Sequence, residues 1–213
     1  MAAGERLQYF VRSINDGGEA VESDTFSLAA LPAQEQPLRI LLTSDHQLKP
    51  MTPANMQKIA ETVGALDAVF FSGDLQNIPD RASEWFDDNR GSAFFPGLQG
   101  NADYDLAQSR QQGDSTYDTT TTYRGGALIQ NAPLFPVIGN HEVMGRYNPG
   151  KSLGSQFNDP RPRAVAEALY EANADLYNPS GDPEIRAQWI EDNSFNTTTY
   201  EEIFTLPRRR PCR

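Results

Sequence analysis

The chain has 213 residues and a formal net charge of −11, so its field repels phosphate backbones and argues against a nucleic-acid partner bound by bulk charge. Its single cysteine, Cys212, excludes an intramolecular disulfide bond, and no apolar run is long enough for a membrane span. The first ten residues lack the apolar core of a signal peptide, and acidic side chains remain available for metal ions.

The first predicted element is a β-hairpin. Residues 6–14 and 20–30 are rich in β-branched and aromatic side chains, and the sequence NDGG between them is typical of a turn. A lone hairpin is marginally stable in water, so we expect it to pack on further strands. The proline-containing stretch 31–37 is typical of a linker, so residues 1–36 are predicted to be a separate N-terminal unit.

A βαβ unit is predicted next. Leu38–Thr43 is a continuous apolar run, typical of a strand that is buried on both faces of a parallel sheet. Thr52 is expected to cap a helix that has Pro53 in its first turn and ends at Gly64. Asp67–Ser72 follows as a second buried strand, and the crossover between two such strands is almost always right-handed.

The polar segment 98–126 is predicted to be a surface insertion with weak structure, because it contains few core candidates and four consecutive threonines. A third strand is expected over Leu134–Ile138, where Pro136 favours an edge position or a strand end. A short helix is expected within 79–90. A longer one is expected over about 162–176, with an apolar face of Val165, Leu169 and Ala172.

The three predicted strands all end in residues that can bind a metal ion. The strand-end sequences are SDHQ, GDLQ and GNHE, which supply Asp45, Asp74 and Asn140 with His141 beside it. Because ligands of open parallel sheets gather at the carboxyl ends of the strands, we expect these side chains to converge. Any single strand-end Asp is equally compatible with an ordinary turn residue, so the prediction depends on the three occurring together.

The chemistry that this set favours is phosphoester hydrolysis by two metal ions. Ions ~3.5–4 Å apart need a bridging carboxylate, and Asp74 fits because Gly73 before it permits close backbone approach. Asp45 would hold one ion and the amide oxygen of Asn140 the other. His141 would protonate the leaving alkoxide or stabilise charge on the phosphoryl group.

These motifs resemble the first three blocks of the calcineurin-like metallophosphoesterase family, D-x-H, G-D and G-N-H-E. The GNHE block behind a hairpin and linker is most similar to the purple-acid-phosphatase-like branch, whose members are often exported. The resemblance implies an α/β fold, with 37–206 the first half of a four-layer sandwich of two facing sheets. It also implies that the hairpin is the remnant of a fibronectin-type-III-like domain, and that the site holds two divalent or mixed-valence ions of Fe, Mn, Zn or Mg.

The chain departs from the family pattern at two positions. Gln47 stands where the family has a second His, and Asn77 stands where the purple enzymes have the tyrosine that colours their iron. A neutral amide is a weak ligand for a trivalent ion, so the first metal site is expected to be weaker than the family's, and an iron-loaded form is not expected to be purple. His46 is expected to be a loop residue or to support the site, with direct metal binding as the alternative. Glu142 is expected to support the site, with a solvated loop position as the alternative.

The family's later blocks contribute further histidines, but this chain has only His46 and His141. We therefore expect little phosphatase activity from the chain as given. The last residues, 207–213, are rich in arginine in an otherwise acidic chain, which is expected of an anion-binding arm or of a shifted reading frame. Two other interpretations stay open: a non-catalytic binding module derived from the same fold, and an unrelated α/β protein with fortuitous strand-end acids.

Overall fold

The computed structural model describes residues 5–29, 36–144, 147–158 and 160–205. The Arg-rich tail and most of the predicted linker lie outside these ranges. The strands are β1 (Arg6–Tyr9), β2 (Arg12–Ile14), β3 (Ala20–Glu22), β4 (Phe26–Ala29), β5 (Ile40–Thr43), β6 (Ala68–Phe71), β7 (Tyr104–Gln112), β8 (Ser115–Tyr123) and β9 (Leu134–Pro136). The helices are α1 (Thr52–Val63), α2 (Ala82–Phe86), α3 (Phe94–Gln99), α4 (Leu153–Asn158), α5 (Arg163–Ala172), α6 (Ala174–Tyr177), α7 (Pro183–Asp192) and α8 (Thr198–Ile203).

A parallel three-stranded sheet positions the strand-end residues. Its order is β5-β6-β9, so the predicted βαβ unit of β5, α1 and β6 is present and the fold is mixed α/β. Strand β9 pairs on one side only within the described chain and ends at Pro136, as the proline predicted. None of the helices in the described ranges is both long and apolar enough to cross a membrane.

The sheet is buried on one face, so the prediction of strands buried on both faces is wrong for the described chain. Val69 and Phe71 are fully buried in a core that also contains Met56 of α1 and Leu98 of α3. Alternate residues of the same strands point away from this core and are exposed. The physical reason is that the described helices pack on one side of the sheet. The exposed apolar residues are Ile40, Leu42, Phe70, Phe135 and Val137.

Helix α1 begins without the predicted threonine cap. Met51 occupies the N-cap position in a helical conformation, and its side chain makes no capping bond. The Thr52 hydroxyl instead donates to the carbonyl oxygen of His46 at 3.4 Å, which ties the helix start to the β5 loop. Gly64 ends the helix with a positive φ of 73°, as predicted.

The segment 98–126 is on the surface, but the prediction that it has weak structure is wrong. It forms an antiparallel hairpin in which the nine residues of β7 pair with the nine of β8. Gly113, at a φ of 61°, and Asp114 make the two-residue connection. Threonine and tyrosine favour extended backbone, and a Gly-Asp pair between two such runs is a hairpin signal. The polarity of the segment, which favours weak structure, pointed to the opposite prediction.

The N-terminal hairpin is present as two short ladders, β1 with β4 and β2 with β3. Arg6 joins it to the α/β part by donating to the carbonyl oxygens of Leu66 and Asn131, and it also donates to the Ser27 carbonyl oxygen within the hairpin. Whether it is a remnant of a larger β-sandwich stays a prediction.

The predicted helix over 162–176 is divided at Asn173 into α5 and α6. Its buried face is Ala166 and Tyr170, which pack on Ile190 of α7. The predicted apolar face is wrong, because Val165 is exposed.

Candidate functional site

Three side chains and one backbone N–H group meet beyond the carboxyl ends of β5, β6 and β9. The Asp74 carboxylate accepts the backbone N–H of His141 on Oδ1 at 3.2 Å and the side-chain amide of Gln47 on Oδ2 at 3.2 Å. One polar atom of the Asn140 amide lies 3.0 Å from both Asp74 oxygens. The structure therefore brings together Gln47 after β5, Asp74 after β6, and Asn140 with His141 after β9.

The loops that carry these residues hold an unusual backbone conformation. The non-glycine residues with positive φ among the described ranges are Asp45 (55°), Gln47 (45°), Leu48 (55°) and Asp74 (54°). All four follow β5 or β6, and each such residue costs on the order of 1 kcal/mol or more. Strain of this kind persists only where surrounding contacts impose it, and it concentrates at functional sites.

Backbone hydrogen bonds continue the β5–β6 pairing past the strand ends. The N–H of Asp45 donates to the Gly73 carbonyl, and the N–H of Gln47 donates to the Leu75 carbonyl, each at 3.2 Å. These bonds keep the two loops side by side. They bring the β5 loop to the candidate site even though the sheet itself ends at Thr43.

Two glycines let the strand ends touch. A Cβ at Gly73 would lie 2.7 Å from the Gly139 backbone, and Gly73 itself has a φ of 88°. A Cβ at Gly139 would collide with the Asp74 carboxylate. Any side chain at either position would push Asp74 away from Asn140, so the two glycines set the geometry of the pair.

The Asn140 amide can face Asp74 in two ways. With its nitrogen towards the carboxylate it donates to both oxygens at 3.0 Å. Turned by 180°, it places its oxygen there and its nitrogen 3.5 Å from the Phe157 carbonyl oxygen. Three oxygens around one point repel one another unless a cation lies between them. In the first orientation the 3.0 Å separations are ordinary hydrogen bonds that satisfy both groups without a cation. Adjacent ligands of an octahedral ion at ~2.1 Å also lie about 3.0 Å apart, so the second orientation is compatible with a hard divalent ion.

Asp45 joins this group through its backbone alone. Its exposed side chain lies 3.8 Å from the ammonium of Lys49, an i,i+4 surface pair of little energetic weight. Within the described ranges, no three His, Cys, Asp or Glu side chains gather as a metal-binding group. The donor set at the site is therefore one carboxylate and two amides, and the Asp45 carboxylate lies beside Lys49 instead.

The His141 ring is buried and fixed in orientation. Its Nδ1 lies 2.8 Å from the Asn77 carbonyl oxygen, and because a carbonyl only accepts, Nδ1 carries the proton. The ring stacks on Phe157 with centroids 4.0 Å apart. In the neutral ring, Nε2 is then the nitrogen without a proton. Asn77, predicted as a weak metal ligand through its side chain, acts here through its backbone.

His46 is a buried core residue. Its ring packs edge-on against Phe71 at 4.3 Å between centroids, and Nε2 lies 3.2 Å from the Thr43 hydroxyl. Burial, with a smaller contribution from Lys49, lowers the pKa of His46 to about 3. The ring is therefore neutral at ordinary pH and is directed into the core.

Glu142 links the loop after β6 to the loop after β9. Its buried carboxylate accepts the backbone N–H groups of Asp74 (2.9 Å), Leu75 (2.8 Å), Gln76 (3.4 Å) and Gly139 (2.8 Å). Burial raises the pKa of Glu142, while these four N–H groups act in the opposite direction. It is neither a solvated loop residue nor positioned as a metal ligand.

Glu84 of α2 was not identified from the sequence. Its buried carboxylate accepts the N–H groups of Asn77 at 3.0 Å and Ile78 at 2.9 Å, so it holds the same loop further along. Nothing in the local pattern singles it out, because a Glu in the first turn of a short helix usually serves that helix.

Comparison with known proteins adds no assignment. No protein-family model, curated protein or solved structure matches the chain. The functional interpretation therefore depends on the side chains and distances described above.

Proposed function

We propose that the carboxyl ends of β5, β6 and β9 form a metal-dependent phosphoester hydrolase site. The observation that supports this most directly is the Asn140 amide 3.0 Å from both oxygens of Asp74, with His141 next in the chain. A carboxylate, a neutral amide and an imidazole on adjacent strand ends suit a cation and a phosphoryl group. The parent architecture in this proposal is the four-layer metallophosphoesterase sandwich, with the N-terminal hairpin left from a fibronectin-type-III-like domain.

The residues that would hold a first ion are Asp74 and Asn140, and Gln47 would join them only with its amide turned, since its nitrogen now donates to Asp74. Asp45 would contribute to a second ion after leaving Lys49, with Asp74 between the two. The chemistry that Fe, Mn, Zn or Mg supplies in such a site is an activated water and polarisation of the phosphoryl oxygens. Amide ligands add no negative charge, so the site favours divalent over trivalent ions.

His141 would act on the leaving group. Its Nδ1–H is bound to the Asn77 carbonyl, so a proton held on Nε2 is the one available to the departing alkoxide of a phosphate monoester or diester. Stacking on Phe157 and burial limit rotation of the ring. The fixed ring lets the proton be delivered without a search over rotamers.

A second candidate function is a binding module without catalysis. The observation that favours it is the orientation of Asp45, which points to Lys49 and leaves Asp74 as the one carboxylate at the amides. A site of this composition would bind one ion or a phosphate ester with its counter-ion and do no chemistry. The two functions differ in turnover, not in whether the site binds a metal.

The test is Mn²⁺ binding and aryl phosphate hydrolysis by the purified chain. We expect Mn²⁺ to bind and Asp74→Asn to weaken that binding by about tenfold or more, a loss of roughly 1.4 kcal/mol. Asp87→Asn, which removes an exposed carboxylate elsewhere, is the matched control and should bind as the wild type does. Turnover that Asp74→Asn abolishes supports the hydrolase. Because the chain has only His46 and His141, binding with little or no turnover is the expected result and fits both an incomplete hydrolase site and the binding module, whereas equal binding by wild type and Asp74→Asn would overturn both.

A further inference from the structure

The loop after β6 is held by an unbroken series of backbone amides. Five successive N–H groups, those of residues 74–78, all donate to buried carboxylates. Glu142 takes the first three and Glu84 takes the last two. Two different elements, the β9 loop and α2, thus determine the path of the five-residue segment 74–78, which carries Asp74 at its start.

Glu84 acts on a single peptide plane that also contacts His141. The Ile78 N–H and the Asn77 carbonyl belong to the same planar unit, and they point in opposite directions because the bond is trans. Glu84 accepts the N–H at 2.9 Å, while the carbonyl oxygen accepts Nδ1–H of His141 at 2.8 Å. Fixing one end of the plane fixes the other.

The carboxylate also strengthens the carbonyl as an acceptor. Hydrogen bonds in series polarise one another, and a buried carboxyl group on the N–H side shifts electron density towards the carbonyl oxygen. The stronger acceptor holds the proton of His141 on Nδ1. Which imidazole nitrogen carries the proton is set by the bond that the other makes, so this contact leaves Nε2 for proton exchange.

We propose that Glu84 is a positioning residue for His141, which it holds in the Nδ1–H form through the Asn77–Ile78 peptide. The role rests on the proposed function in one respect, since a fixed Nε2 matters only if that atom exchanges a proton with a substrate. The positioning itself is a property of the folded chain and can be measured without substrate or metal.

The chain has two histidines, which makes the measurement direct. In a sample with ¹⁵N-labelled histidine, each neutral tautomer gives distinct Nδ1 and Nε2 chemical shifts, and a His46→Gln variant identifies the signals of His141. We expect His141 to be predominantly Nδ1–H in the wild type. Glu84→Ala should lower the ratio of Nδ1–H to Nε2–H about fivefold or more, the effect of losing one hydrogen bond. Glu84→Gln should retain the wild-type ratio, because its amide oxygen can still accept from Ile78.

Asp88→Ala is the matched control. Asp88 is also a buried carboxylate just after α2, and it accepts the N–H groups of Arg90 and Ser92 without touching residues 74–78. If both alanine variants shift the tautomer equally, the effect is general loosening and the proposal is overturned. If Glu84→Ala does not fold, Glu84→Asp, which shortens the reach by one methylene, is measured in its place and should lower the ratio.

A wild-type His141 in the Nε2–H form would overturn the proposal whatever the variants do. These outcomes are separate from the proposed function. A chain that fixes His141 through Glu84 but binds no Mn²⁺ would keep the positioning role and reject the metal site. The reverse result, Mn²⁺ bound at Asp74 with an unrestrained His141, would reject the role of Glu84 alone.

Discussion

The two faces of the three-stranded sheet are built from the same strands and yet have opposite environments. Phe71 has no exposed surface, while its neighbour Phe70 is 39% exposed and Leu42 is 71% exposed. Register aligns Leu42, Phe70 and Phe135 in one row across the open face, where the two phenyl rings stack at 5.0 Å. We call this row, with Ile40 and Val137, the open face.

The difference teaches that strand composition and strand burial are separate properties. Both faces carry apolar side chains, as in sheets that are covered on both sides. In the described chain, α1 and α3 cover one face of the sheet. The other face is a contiguous, exposed apolar surface, and a surface of that type is typical of a contact site. The open face therefore tests whether stability depends on the packed face alone.

The largest expected effect is on the packed face. Phe71→Ala should lower the free energy of unfolding by about 3–5 kcal/mol, because it leaves a cavity in the core. Phe70→Ala should cost about 1 kcal/mol or less, since it loses the stacking on Phe135 and little burial. Urea unfolding of both variants measures the comparison with one residue type on adjacent positions.

Equal losses in the two variants would mean that the open face is covered in solution. The distinction between the faces would then be a property of the described residues and not of the folded protein. A loss confined to Phe71 would establish that the packed face provides the stability.

The second effect concerns acid stability of the packed face, where His46 lies against Phe71. Its pKa in the folded chain, about 3, is below the ordinary value of 6.5, so the neutral ring contributes stability above pH 6.5 that is lost as the pH falls towards 3. At pH 4 the loss is on the order of 3 kcal/mol. His46→Gln should remove this dependence.

The comparison with His46→Gln is needed because two glutamates act in the opposite direction. Burial raises the pKa values of Glu84 and Glu142, so their protonation favours the fold as the pH falls. Both contribute equally to wild type and variant, and the difference between the two unfolding curves isolates His46. Parallel pH profiles for the two proteins would show that His46 is not held neutral by burial.

Local pattern was sufficient for the parts of the fold that local sequence determines. The βαβ unit follows from the periodicity of the apolar residues. The end of α1 follows from the unrestricted backbone of Gly64, and the end of β9 follows from the restricted backbone of Pro136. The convergence of Asp74 and Asn140 follows from parallel strands sharing an edge. These features need no knowledge of distant contacts.

The remaining features depend on contacts between segments far apart in sequence. Burial of only one sheet face, the internal position of His46 and the bond from Glu84 to Ile78 each depend on where α1, α2 and α3 pack. The Asp45 side chain is exposed and lies beside Lys49, which the strand-end pattern does not show. The β7–β8 hairpin was a different failure, because Gly113–Asp114 was a readable turn signal.

A third prediction concerns the carboxyl edge, where the two faces meet. Gly139→Ala would place a methyl group against the Asp74 carboxylate, and we expect a loss of about 1–3 kcal/mol together with weaker Mn²⁺ binding. Gly154→Ala in α4 is the control, since its Cβ would meet nothing within 4 Å and alanine favours a helix. Thermal unfolding and Mn²⁺ titration of both variants measure it. An unaffected Gly139→Ala would show that Asp74 does not lie against Gly139.

The smallest effect on stability, and the most informative about the open face, is expected from Leu42→Thr. Threonine is β-branched and suits a strand, and the leucine side chain it replaces is largely in water, so the free energy of unfolding should change by about 0.5 kcal/mol or less. The contiguous row of Leu42, Phe70 and Phe135 is instead what an environment-sensitive apolar dye would bind, and the substitution interrupts it. Dye fluorescence should therefore fall in Leu42→Thr and remain unchanged in Leu176→Gln, which removes an equally exposed but isolated leucine from α6. Two results together would show that the open face is packed in solution: Leu42→Thr lowers the free energy of unfolding by several kcal/mol, and the wild type binds no dye. The difference in stability between Phe70→Ala and Phe71→Ala should then disappear as well.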